Sequence, residues 1–148
     1  MTKILSKNNN GFTLIELLVV IGILTVLLSI VLIAINPSRQ FAQANDTQRR
    51  SDVSAILNAV HQYAADNNGS LPDGISATSG TISSGSGDVD LCDDLVPVYI
   101  AEMPVDPTTG SWTSCSSYDT GYTIVSGSSN RVTVSATPEI AESISITR

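Results

Sequence analysis

One carboxylate stands near the start of a long apolar run. Phe12 to Ile35 spans 24 residues, and Glu16 is its only charged side chain. An acid inside a membrane-spanning helix costs on the order of 2.5–3.5 kcal/mol at the helix centre and less near the interface, so Glu16 calls for a compensating partner. Other chemistry-bearing residues are sparse: two cysteines, Cys92 and Cys115, and one histidine, His61. The cysteines form no CxxC pair and no histidine cluster accompanies them, which argues against a zinc site. The chain has no GxSxG, HExxH or phosphate-loop pattern, and a lone histidine without a partner motif makes no catalytic case. His61 reads as a packing residue beside a helix's apolar face. Two cysteines in a loop-rich region beyond a membrane segment point to one disulfide, which the chain-entropy model values at about 3 kcal/mol. Two buried free thiols are the alternative.

The elements that position these residues follow from composition and periodicity. A chain of 148 residues has room for an anchor and one small domain. Net charge is −7, and from Ser51 onward twelve acids face only Arg131 and Arg148, about −10 for that region. Such a surface repels nucleic acid, so no direct nucleic-acid partner is expected. A helix over Phe12–Ile35 would be about 36 Å long, enough to cross a hydrocarbon core of ~30 Å with some tilt. Gly22, Thr25 and Ser29 would let a second helix approach closely. A cleaved signal peptide has a shorter apolar region, roughly 7–15 residues, ending in a small-x-small site; this run ends in Ile35-Asn36-Pro37. Basic residues flank both ends, Lys3 and Lys7 before it and Arg39, Arg49 and Arg50 after it, so charge leaves the orientation open. The expected disulfide and the acidic exterior favour a C-terminal domain outside the cytoplasm.

Helical character resumes after Pro37, with no further proline or glycine until Gly69. Val53, Ile56, Leu57, Val60, Tyr63 and Ala64 recur at helical spacing and form one apolar face, with Arg49, Arg50, Asp52 and Asn58 read as lying off it. The expectation is one helix of about 57 residues, Phe12 to Asn68, kinked near Pro37 and stopped at Asn67-Asn68-Gly69. Residues 69–90, rich in Gly, Ser and Thr, read as mostly loop with short extended pieces, a length that hints at an interaction surface. Leu91, Leu95 and Tyr99 suggest a short helix interrupted at Pro97. Tyr122–Ser126 and Arg131–Ala136 alternate as strands joined in a hairpin, and residues 142–147 add an edge strand. The sheet would offer Tyr122, Ile124 or Val125, Val132 and Val134 to the helix. The fold class is therefore α+β: a long N-terminal helix, transmembrane then amphipathic, on a small antiparallel sheet. Its expected divisions are 1–11, 12–36, 37–68 and 69–148.

The segment from Gly11 to about Leu28, with Gly-Phe-Thr-Leu-x-Glu at its start, resembles the prepilin motif of type IV pilins and type II secretion pseudopilins. The resemblance implies a pilin-like fold, a leader of residues 1–11, cleavage after Gly11 by a membrane prepilin peptidase, and N-methylation of Phe12. Glu16 becomes the fifth mature residue and matches the family's glutamate. Cleavage creates an α-amino group at Phe12, and an axially shifted neighbour could set that amine against Glu16, so that both charges are compensated only in the assembled state. A second stretch, Leu95–Pro107 with Met103-Pro104-Val105-Asp106-Pro107, resembles the segment that follows the helix in major pseudopilins. The chain departs from the family in two places: Ile33 stands where many members carry a proline, with Pro37 four residues later, and the Thr108–Trp112 continuation matches loosely.

The resemblance implies a structural subunit rather than an enzyme, a homopolymer with pilin-like copies. Its other implied partners are the peptidase, an inner-membrane platform protein and an assembly ATPase. The implied location is the bacterial inner membrane, single-pass, and then an extracellular or periplasmic fibre. No cofactor is required; some major pseudopilins bind calcium near the sheet, and Asp106 and Asp119 are the acids that would serve it here. Alternatives are a minor or tip adhesion subunit and a membrane-anchored extracytoplasmic binding domain. Intact-mass analysis of the membrane-extracted protein should show loss of Met1–Gly11 and one methyl group on Phe12. A chain that keeps Met1, or one cut after Ile35, would overturn the processing expectation.

Overall fold

The computed structural model describes residues 11–148; the leader residues before Gly11, with Lys3 and Lys7, lie outside them. The described residues divide into two compact units, 11–37 and 38–148.

The first unit carries helix α1, Leu14–Ala34. Thr13 is its N-cap, with an extended backbone, and none of the helix residues is buried. At ~1.5 Å per residue the helix is about 32 Å long, and it is long and apolar enough to cross a membrane. Its two hydroxyl side chains are satisfied within the helix: Thr25 donates to the Ile21 carbonyl (2.7 Å) and Ser29 to the Thr25 carbonyl (3.0 Å). No polar group along the middle of α1 therefore needs water.

The single 57-residue helix expected from the sequence is two helices. Ile35 turns extended and the second helix, α2, runs Pro37–Asp66. Proline sterics explain the break. The residue before a proline is pushed out of the helical region, whereas proline itself suits the first position of a new helix, where its missing N–H is no loss. At the other end, Asn68 and Gly69 have φ of 56° and 87°, and the Gly69 N–H donates to the Ala64 carbonyl at 2.7 Å. This left-handed stop falls at the expected Asn-Asn-Gly.

The second unit is α2 packed on an antiparallel sheet, with one short helix, α3 (Cys92–Leu95). The sheet has five strands: β1 (Gly80–Ser83), β2 (Ser111–Ser114), β3 (Ser117–Ser126), β4 (Val132–Ala136) and β5 (Ile144–Thr147). The ten-residue β3 is its axis. β1 lies along one side, with Thr81 opposite Thr123. β2 and β4 share the other side end to end, Ser111 opposite Asp119 and Val134 opposite Ile124. β5 pairs with β4. The expected hairpin and edge strand are β3, β4 and β5. β1 falls within the stretch expected to be loop with short extended pieces, and β2 has no sequence signal, because short Ser-, Thr- and Gly-rich segments become strands only by pairing with a neighbour.

Alternation along β3 buries Tyr118, Thr120, Tyr122 and Ile124, so Ile124, not Val125, faces the helix. These residues, with Val132, Val134 and Ile144, share one core with Val53, Ile56, Leu57 and Val60 of α2 and with Ile82, Leu91, Leu95 and Met103.

Candidate processing and assembly site

The residues expected from the sequence to serve cleavage and assembly, Gly11, Phe12 and Glu16, lie in the first unit. Gly11 and Phe12 are exposed, Phe12 at 82%. Two residues on, Thr13 and Glu16 form a capping box. The Thr13 N–H and hydroxyl both donate to Glu16 Oε2, at 2.8 and 2.7 Å, and the Glu16 N–H donates back to Thr13 Oγ at 3.3 Å. This satisfies backbone donors that every helix start leaves unpaired, and a carboxylate there also suits the positive end of the helix dipole. Glu16 thus has a partner within its own chain, which the first reading missed although Thr-x-x-Glu spells the motif.

The second unit carries a buried charge network around Arg49. Arg49 is 2% exposed, Asp46 2%, Asp106 3% and Asp52 6%. The expectation that Arg49 and Asp52 lie off the apolar face is therefore corrected. The reason is spacing: Asp46, Arg49, Val53, Ile56 and Val60 follow one another at three- and four-residue steps, so the polar residues continue the stripe that the apolar ones mark.

The Arg49 guanidinium draws three stretches of chain together. Nε donates to Asp106 Oδ2 at 2.6 Å, and Nη2 to Asp106 Oδ1 (3.2 Å) and Thr108 Oγ (2.8 Å). Nη1 donates to Asp46 Oδ1 at 2.9 Å and lies 3.0 Å from Glu139 Oε1. Asp106 also accepts from the backbone N–H groups of Thr108 and Thr109, at 2.8 and 3.0 Å. Asp46 accepts from three successive backbone donors, Glu139, Ile140 and Ala141, at 2.9–3.0 Å. The turn after Asp106 is tight. A Cβ on Gly110 would come within 2.6 Å of the Asp106 nitrogen, and Gly121 has φ of 72° beside it, so only glycine fits at both positions.

These contacts decide the protonation of the network. Burial pushes the Asp46 and Asp106 carboxyls up, but the backbone donors and Arg49 outweigh it and hold both well below the usual carboxylate range. Arg49 is pushed up, chiefly by its hydrogen bond to Asp106. Asp52 has no cationic partner among the described residues. Burial pushes its carboxyl up, and hydrogen bonds from the Tyr122 hydroxyl and Gln48 offset this only in part.

Both Asp106 oxygens are taken by Arg49, and a cation beside them would face a guanidinium. Asp119 is exposed, with its Oδ1 accepting from the Gly121 N–H at 2.9 Å. Among the described residues no three His, Cys, Asp or Glu side chains converge on a point that could hold a metal. Cys92 and Cys115 are joined in a disulfide, Cα–Cα 5.3 Å, tying α3 to the turn between β2 and β3. His61 is half-buried on α2, and its Nε2 has no hydrogen-bond partner.

Comparison with known families gives one match: residues 6–32 fit the model of the prokaryotic N-terminal methylation motif. This prepilin-type motif supports a type IV pilin or pseudopilin family for the chain. No curated protein and no solved structure matched it. The matched segment takes in Gly11, Phe12, the Thr13–Glu16 box and most of α1. The motif supports a prepilin-processed subunit, and it implies a prepilin peptidase and other pilin-like subunits as partners.

Replacing Arg49 by methionine should cost about 3–5 kcal/mol, because Asp46 and Asp106 stay buried without their cation; urea unfolding of the full-length chain checks it. Asp46 and Asp106 sit below their unfolded value of ~3.9, so the stability they add is present above about pH 4 and lost as pH falls below it. Asp52, shifted upward, has the opposite sign: its contribution is present at low pH and lost as pH rises through its raised value. The melting temperature should therefore fall on acidification from about pH 5 to pH 3, and fall less steeply in Asp46→Asn. A flat wild-type profile over that range would contradict the network's charge assignment.

Proposed function

We propose that this chain is a structural subunit of a type IV pilus-like or type II secretion pseudopilus fibre, stored in the inner membrane and polymerised by packing of α1. On this reading the C-terminal domain lies outside the cytoplasm, and an inner-membrane platform protein and an assembly ATPase drive extraction. Copies of the chain join so that Glu16 of one meets the Phe12 amine of the next. The Leu95–Pro107 resemblance inclines the reading towards a major-pseudopilin-like subunit.

The observation that carries the reading is the setting of Glu16. It is the only charge on a helix that buries nothing within its own chain, and Thr13 occupies only its Oε2. Its charge has no cation beside it among the described residues. Cleavage after Gly11 supplies one, an ammonium four residues away. In hydrocarbon that pair is favourable only where both groups are brought together. The disulfide agrees with an oxidising compartment.

Two substitutions separate charge from capping. Glu16→Gln keeps a side chain that can close a capping box but removes the charge; Glu16→Ala removes both. Both variants should insert into the membrane and be processed. Both should fail to enter fibres when expressed as the sole copy. Normal fibres from Glu16→Gln would show that capping alone is needed and would remove the amine pairing.

A further inference from the structure

A cleft of about 410 Å³ opens on the second unit between α2 and residues 100–105, lined among others by Gln48, Asp52, Glu102, Met103 and Trp112. Asp52 is 6% exposed and is a buried acid with no cation paired to it among the described residues. Its two oxygens accept only neutral donors, Gln48 Nε2 and the Tyr122 hydroxyl, each at 2.8 Å. Each carboxylate oxygen can accept two hydrogen bonds, so each retains a free lone pair. Trp112 is half-buried and held by its ring contact with Tyr118, centroids 5.6 Å apart. Glu102 is exposed, so it stands at the rim.

We propose that this cleft binds a primary ammonium or guanidinium group, which donates N–H bonds to Asp52 while Trp112 and Glu102 bracket its charge. A buried carboxylate without a counter-ion is costly, and a cation that brings N–H donors removes that cost by charge-assisted hydrogen bonding. An indole lining the same cleft offers cation–π attraction to the same class of ligand. A hydrated metal ion would find too few oxygens here, since calcium takes 6–8. The two sources of this chemistry are a free amine and a lysine or arginine side chain.

Trp112 is the only tryptophan, so its fluorescence reports on this cleft alone. The full-length chain in a nonionic detergent is titrated with n-butylammonium and ethylguanidinium, with tetramethylammonium, calcium chloride and sodium chloride as controls. Saturable change is expected from the first two at about 10 mM or below and not from the controls. Asp52→Asn should weaken binding at least about tenfold while a thermal melt confirms folding. Backbone amide shifts in the wild type supply a second readout should that variant not fold, with changes expected at Gln48, Asp52, residues 100–105 and Trp112. A short blocked peptide with one arginine that binds at least about tenfold tighter than ethylguanidinium supports the site with a protein side chain as its source. Equal affinity supports it with a free amine. No saturable change, an equal response to calcium or tetramethylammonium, or amide shifts confined elsewhere would overturn the proposal.

Discussion

A guanidinium taken out of water must be surrounded by acceptors, and Arg49 meets this requirement with residues from three distant parts of the chain. Asp106 lies 57 positions on, and Glu139 lies 90. The Asp106 loop and the turn at residues 139–141 contribute few core side chains; they are held by charge-assisted bonds to one turn of α2. Such a network adds little net stability over a well-packed apolar replacement, but once one member is buried the others must follow. It therefore acts as a constraint on where the loops end. β2 and β5, which follow those loops, start from fixed positions as a result.

The N-terminal unit obeys the reverse logic. Nothing on α1 is buried by its own chain, so what its apolar surface needs must come from outside: lipid first and, on the proposed reading, other subunits later. Thr13 stabilises the helix start and gives the Glu16 carboxylate two donors without neutralising it. On the proposed reading, that charge meets the amine that cleavage after Gly11 creates.

The acids fall into three settings that the composition does not separate. Asp46 and Asp106 are buried, matched to Arg49 and ionised well below the usual range. Asp52 is buried against neutral donors and pushed upward. Asp119 and Glu102 face solvent. A net charge of −7 says nothing of this division, which governs acid stability and sets the cleft at Asp52 apart.

Local chemistry could be read directly. The apolar run of α1, the Val53–Val60 stripe, the stop at Asn68-Gly69 and the β3–β4 hairpin depend on residues a few positions apart, and each leaves a periodic or steric mark. The break at Asn36-Pro37 and the Thr13–Glu16 box were equally local, yet the sequence reading gives a kink and an acid whose partner is a neighbour's Phe12 amine. Arg49 was misplaced because its charge was weighed above its spacing. The remainder depended on distance in space. Two cysteines allow either thiols or a bond until their backbones stand 5.3 Å apart. Ile124 and Val125 are equal candidates for the core until pairing with Val134 and Thr133 sets the register. No pattern in the chain says which of twelve downstream acids will meet Arg49, because packing, not sequence neighbourhood, sets the distances over which charges choose their partners.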